Sequence, residues 1–269
     1  MEYTWLPLGF AVAVLGAMVG VGGGLVFVPA LIYIYGFPHP QAAGTSLAVV
    51  TLSAAAATLG YWREGKIVAA GGVRFALAGI PGSLLGVYAS AHIPASAFRA
   101  AFAAILLLLA AILVRNQAAS VTGPWRRLWR VVPLGPVRRR RLRTAAGEEY
   151  RFLANENLGV VAATAAAFVG GLLGIGGGIL LVPAMLYLVG YPPQVAAATA
   201  QLTVFSNAVV GAAAHAWLGH VDWHAVLLLG LGASLGGPAG VRLARRVNGR
   251  VLMLLLALLL AASAVRMLW

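Results

Sequence analysis

Cysteine is absent from all 269 residues, which excludes disulfides, redox thiols and thiolate-bound metals. Acid is scarce too. The six carboxylates, Glu2, Glu64, Glu148, Glu149, Glu156 and Asp222, all map to segment ends or polar stretches. None lies in mid-segment as a proton relay or sodium ligand. No paired carboxylates, metal-ligand cluster or nucleophile–base set occurs, so the chain reads as a non-enzyme with no cofactor and no metal. Charged residues make up only 9%, against roughly 25% in soluble domains, too few to cover a soluble surface. Met1–Pro7 carries no positive charge and no cleavage-like site follows, so no cleavable signal is read there.

What remains is apolar, 61% of the chain. Runs such as Ala97–Val114 and Val251–Leu268 approach the ~20 residues that cross a bilayer as a helix. The expected class is an all-α polytopic membrane protein.

The chain also contains itself twice. GVGGGLVFVPALIYIYGFP, Gly20–Pro38, returns as GIGGGILLVPAMLYLVGYP, Gly174–Pro192, 154 residues later. Thr45 maps to Thr199, Ser53 to Asn207, Gly65 to Gly219, Gly82 to Gly236 and Gly86 to Gly240. This duplication divides the chain into a first transmembrane repeat, 1–114, a basic linker, 115–155, and a second repeat, 156–269. Paired repeats with a broken segment in each point to a transporter whose site lies between them.

Each half reads as four apolar segments, near 5–36, 42–61, 69–90 and 96–114, then near 157–190, 196–217, 224–244 and 249–268. Segment 5–36 would make a helix of about 48 Å, against a hydrocarbon core of about 30 Å. It is either a long tilted helix with a broken middle or two half-helices folded into a re-entrant hairpin. Charge bears on the choice. Ten arginines lie within Arg115–Arg151, four of them consecutive at Arg138–Arg141, and the inside-positive bias makes this linker cytoplasmic. Arg63 and Lys66 then fall inside, while His92 and Arg99 flank an outer loop. If 157–190 is a hairpin, Arg242, Arg245, Arg246 and Arg250 also fall inside and His220–His224 outside. That assignment fits better, although Arg266 sits on the wrong side, and it makes the halves inverted repeats. Basic tracts can bind nucleic acid, but topology already requires these charges, and anionic headgroups add about 1 kcal/mol each. The expected linker partner is therefore anionic lipid and not nucleic acid. Gly123–Leu134 mixes Trp with Arg as a short amphipathic interfacial piece.

The glycine runs admit several roles. No Lys follows either run, so a phosphate loop is excluded, and no strand precedes them as a dinucleotide fingerprint needs. Gly16 with Gly20, and Gly170 with Gly174, fit close helix packing. The runs also break a helix, and new helices begin near Leu25 and Ile179. Amides at a helix start lack intrahelical partners and attract anions. Gly23, Gly24, Leu25, Gly177, Gly178 and Ile179 are thus the candidate substrate-binding backbone, with Pro29 and Pro183 as gating or structural residues. Thr45, Ser46, Thr199, Gln201, Ser206 and Asn207 offer hydroxyl and amide donors in the matching second segments. Several of the hydroxyls would simply bond their own helix carbonyls, whereas Gln201 and Asn207 are costlier to leave unpaired. His215 is a candidate proton-sensitive gate or an interfacial histidine. Arg74 either draws anions in or snorkels to the interface.

The paired GGG…VPA runs, followed by GTS at Gly44–Ser46 and ATAQ at Ala198–Gln201, resemble the sulfite exporter TauE/SafE family of bacterial membrane transporters. The resemblance covers both halves and leaves out the linker. It places the family's glycine–proline pattern on Gly22, Gly23, Gly24 and Pro29, then Gly176, Gly177, Gly178 and Pro183. Its small-hydroxyl signature falls on Thr45, Ser46 and Thr199. Ala200 and Gln201 depart from that signature in the second copy. The resemblance implies a multi-pass protein of the bacterial inner membrane that exports sulfite, sulfoacetate or a related small anion. Alternating access is the leading expectation. An anion channel or scaffold, and a cation-coupled importer, are the alternatives, and a homo-oligomer stays open.

Overall fold

The computed structural model describes residues 4–117 and 137–268. The Trp- and Arg-containing stretch Gly123–Leu134 lies outside the described residues. The first half runs α1 (Trp5–Val19), α2 (Gly24–Tyr33), α3 (His39–Arg63), α4 (Ala69–His92) and α5 (Ala95–Gln117). Strands β1 (Arg138–Arg143) and β2 (Glu149–Ala154) follow. The second half runs α6 (Glu156–Leu173), α7 (Gly178–Ala184) with a π-helical turn at Met185–Val189, α8 (Pro193–Trp217), α9 (Trp223–Ala244) and α10 (Gly249–Leu268). Among the described residues five helices, α3, α4, α6, α8 and α9, are long and apolar enough to cross a membrane.

The helix limits follow from local chemistry. Prolines stand in the first turns of α3 and α8, where a missing N–H costs nothing. Asn155 caps α6 by accepting from the Leu158 N–H at 3.4 Å, and Asp222 caps α9 by accepting from Ala225 at 2.9 Å. The chain is helical wherever it is apolar, as expected. The antiparallel β1–β2 hairpin was not expected, because the four consecutive arginines read as topogenic, lipid-facing charge in the linker. Strand alternation turns one face of the hairpin inward, and there Phe152 packs edge-on against Tyr191, with centroids 5.3 Å apart.

Both glycine-broken segments fold back on themselves. Trp5, at the start of α1, meets Tyr35, just beyond α2, edge-on with ring centroids 4.9 Å apart. In the second half the Asn155 N–H, just before α6, donates to the Val189 carbonyl at 3.0 Å. The two ends of each broken segment therefore lie side by side.

The packing pairs are matched. α1 lies on α9 and α6 on α4; α3 and α8 form the centre; α3 also packs on α9 and α8 on α4; α5 packs on α10. A shift of 154 residues exchanges the members of these pairs. The contacts are backbone to backbone. A Cβ at Gly232, Gly236 or Gly240 would collide with the carbonyls of Leu6, Phe10 and Val14. A Cβ at Gly82 or Gly86 would collide with those of Thr164 and Phe168. Lipid tails are as apolar as leucine, so close approach of this kind supplies the attraction between such helices. Gly82→Ala and Gly236→Ala should cost comparable amounts, about 1–3 kcal/mol each for overpacking. Thermal denaturation of the purified protein checks this, and an unchanged melting temperature in either variant would refute the backbone contact there.

Candidate functional site

The glycine runs divide their labour by position. Gly20, Gly22 and Gly23 have φ of 83°, 83° and 93°; Gly174, Gly176 and Gly177 have 76°, 72° and 80°. Any other residue there would meet a penalty of about 1–2 kcal/mol. Gly24 and Gly178 are not left-handed and serve contact instead. A Cβ at Gly24 would lie 2.6 Å from the Ile175 Cα, and one at Gly178 would lie 2.8 Å from the Val21 Cα. The two turns therefore touch each other. Val50 and Val204 flank them both: a Cβ at Gly22 would lie 3.0 and 2.9 Å from their Cγ1 atoms, and one at Gly176 would lie 3.1 Å from each. Pro29 and Pro183 are buried in the short returning helices just beyond.

A turn buried in a bundle leaves the last carbonyls of its incoming helix without partners. Side chains of the central helices meet that need. Tyr61 Oη donates to the Ala17 carbonyl at 2.9 Å and Ser53 Oγ to Gly22 at 2.9 Å, while Gln201 Nε2 adds a side-chain donor at 3.1 Å to the Gly16 carbonyl, which already accepts from the Val21 N–H. On the other turn Ser46 Oγ donates to Gly174 at 2.8 Å, and His215 Nε2 stands 3.5 Å from the Gly171 carbonyl. His215 is thus the counterpart of Tyr61, and it also faces His220 across 3.4 Å. Ser206 bonds its own helix at the Leu202 carbonyl.

The hydroxyls of Thr45 and Thr199 are engaged by helix starts rather than by the turns. The Thr45 hydroxyl accepts from the Asp222 N–H at 3.0 Å, and the Thr199 hydroxyl accepts from the Val68 N–H at 3.1 Å. Each ties the start of α9 or α4 to a central helix of the opposite half. Asn207 is apart from Gln201. Its amide lies against Gly79, whose absent Cβ makes room for it. Gln201 Oε1 and Asn207 Oδ1 are buried and have no hydrogen-bond partner. Such an orphan costs about 1–3 kcal/mol.

One end of the bundle carries a group of ion pairs that sequence reasoning missed. Glu64 is buried and pairs with Lys66 at 2.9 Å and with Arg245 of the second half. Glu156 is buried and pairs with Arg74 of the first half at 3.4 Å and with Arg140 at 2.7 Å, and it accepts from Tyr191 Oη at 3.2 Å. Arg74 is therefore engaged rather than simply snorkelling. Burial, with the Glu156 carboxylate beside it, pushes the Tyr191 hydroxyl far up from its ordinary range, so it remains a neutral donor. The linker hairpin joins the group, since the Ala145 N–H donates to the Glu64 carbonyl at 2.9 Å. The available signal was that Glu64 and Glu156 are carboxylates at helix ends in a chain with almost none.

Helical segments that turn back at glycines, packed in matched pairs with buried polar side chains at the turns, define a polytopic membrane transporter. The chain belongs to the sulfite exporter TauE/SafE family, whose sequence model matches residues 5–267. It is therefore a multi-pass membrane transporter of small anions. It is 31% identical over 263 residues to "Probable membrane transporter protein YunE" of Bacillus subtilis, covering 94% of this chain and 92% of that one. It is 40% identical over 99 residues to a "Probable membrane transporter protein" of Xylella fastidiosa, 36% of this chain and 38% of that one. It is 26% identical over 269 residues to "Probable membrane transporter protein y4hK" of Sinorhizobium fredii, 97% and 95% of the two chains. No solved structure matches it.

Thr45→Val and Thr199→Val each leave one helix-start N–H without its acceptor. Each should lower stability by about 1–3 kcal/mol without moving the apparent affinity for the transported anion. Thermal melts beside flux titrations test this, and a changed affinity with an unchanged melt would reverse the assignment.

Proposed function

We propose that the protein is an alternating-access exporter of a small sulfur-containing oxyanion, sulfite or a short organosulfonate. On this reading residues 1–114 and 156–269 are inverted repeats joined by a linker, 115–155. The hairpins α1–α2 and α6–α7 enter from opposite faces, while α3–α5 and α8–α10 cross. Arg63, Lys66, the hairpin arginines, Arg242, Arg245 and Arg246 share one face, which the inside-positive bias makes cytoplasmic in the inner membrane.

The meeting of the two glycine turns carries the reading. Non-helical backbone at membrane depth is tolerated where protein or a wet cavity satisfies it. Here the turns bring the Gly24–Leu25 and Gly178–Ile179 amides toward one joint between the halves, beside Ser46 and Gln201. Asn207, with an unpartnered amide oxygen, serves the path against α4; a flip of the amide presents donors instead. Val50 and Val204 close the joint in this conformation. The Glu64–Arg245 and Glu156–Arg74 pairs bridge the halves at the cytoplasmic end, so inward opening separates them. Export of an anion from a negative interior gains about 2.3 kcal/mol per charge per 100 mV and needs no coupling ion.

Proteoliposome flux tests this. Sulfite or sulfonate flux should saturate and should respond to membrane potential. Asn207→Ala should lower it about tenfold or more, the worth of one hydrogen bond to a charged group, with the melting temperature retained. Linear flux would favour a channel, and flux that requires a proton or sodium gradient at zero voltage would favour coupled import. Unchanged flux in Asn207→Ala would remove that residue from the site.

A further inference from the structure

The run Arg138–Arg141 is more than topogenic charge, because strand geometry separates its members. Arg140 turns to Glu156, with Nε 3.0 Å from one carboxylate oxygen. Arg139 and Arg141 fall on the opposite face of β1. The register sets Arg141 directly across from Arg151 and Arg139 across from Leu153. Like charges opposed on paired strands repel. Glu149 forks onto Arg151 with two bonds of 2.9 Å and makes no bond to Arg141. Among the described residues neither Arg139 nor Arg141 has a salt bridge. A cavity of about 260 Å³ opens here, lined by Arg139, Arg140, Arg141, Arg151, Phe152 and Leu153. No carboxylate is among these six residues, although Glu149 already engages Arg151 at its edge.

We propose that this cavity is an oxyanion site on the linker hairpin, seating one sulfonate-, sulfate- or phosphate-type group among Arg139, Arg141 and Arg151. Planar guanidinium forks match such oxygens in pairs, and a bound anion relieves the Arg141–Arg151 repulsion. The occupant is the free anion awaiting transport, an assignment that rests on the transport reading above. Only Phe152 and Leu153 are apolar among the lining residues, which favours a free anion over a lipid with its acyl chain. A cationic seat of this kind raises the local anion concentration and the rate of encounter, and it weakens with salt.

The full-length protein in phosphatidylcholine nanodiscs, titrated with sodium sulfate at low ionic strength, provides the test. Binding should be saturable. The double variant Arg139→Gln/Arg141→Gln should weaken it at least about tenfold, and Arg143→Gln, outside the cavity, should leave it unchanged. In proteoliposomes the double variant should raise the apparent KM for sulfite and keep the maximal flux. Equal sulfate binding in wild type and double variant overturns the site. If phosphatidylglycerol in the discs abolishes sulfate binding to the wild type, the seat belongs to lipid headgroups and the free-anion assignment falls. Sulfate binding that responds to the double variant, in a protein that moves no sulfite or sulfonate, supports the site while sinking the transport reading instead.

Discussion

The contact on which the rest depends is backbone against backbone, where the turn at Gly20–Gly24 meets the turn at Gly174–Gly178. Neither turn is stable alone at that depth. Each exposes carbonyls that an apolar medium cannot solvate, at about 1–3 kcal/mol for every group left bare. Ser46, Ser53 and Tyr61 meet that cost from the central helices, and Gln201 adds a further donor at Gly16. Close approach is possible because Gly24 and Gly178 lack a Cβ. The central pair α3–α8 is therefore the element that makes two broken helices tolerable, and this accounts for polar residues in its most buried stretch.

The frame is symmetric and the chemistry on it is not. Tyr61 and His215 reach equivalent carbonyls, but one is a phenol and the other an imidazole that also faces His220. Lys66 corresponds to His220, Glu64 to Leu218 and Arg74 to Leu228. Ion pairs between the halves are thus built at one end of the bundle, and the equivalent positions at the other end lack them. On the proposed reading their strength suits a latch that must open. The Arg245 and Arg74 side chains are 58% and 49% exposed, so each pair is worth nearer the surface value of about 0–1 kcal/mol than a buried one. Such pairs bias a conformation without locking it.

Much of this was legible in the sequence, and the limit falls at a physical boundary. The helix limits and the break at each glycine run follow from local rules, and the structure follows them within a few residues. The division of the run into turn glycines and contact glycines was not legible, since it depends on which segment lies opposite. Thr45 and Thr199 illustrate the same limit. Their hydroxyls read as donors for a ligand, and in the structure they accept from helix starts in the other half. Residue type shows that a polar group must find a partner; only the fold shows which partner. The arginine run hid a strand because charge dominates its composition, while the alternation that makes it a strand is carried by Leu142, Tyr150 and Phe152 around it.

These points bear on how a chain with no cation in its central contacts would select an anion. On the proposed reading the attraction comes from helix starts, each equivalent to roughly half a positive charge. One such start resembles many others in any helical protein. Two brought together approach a full charge, and they are together only while the halves are docked. Moving the halves apart at either end then changes the field at the joint along with its access. The valines that fill the joint, Val50 and Val204, are apolar and present no competing donor to an anion. Holding the anion and opening the path would in that case be one event at one interface, which is what a carrier requires and a fixed pore does not.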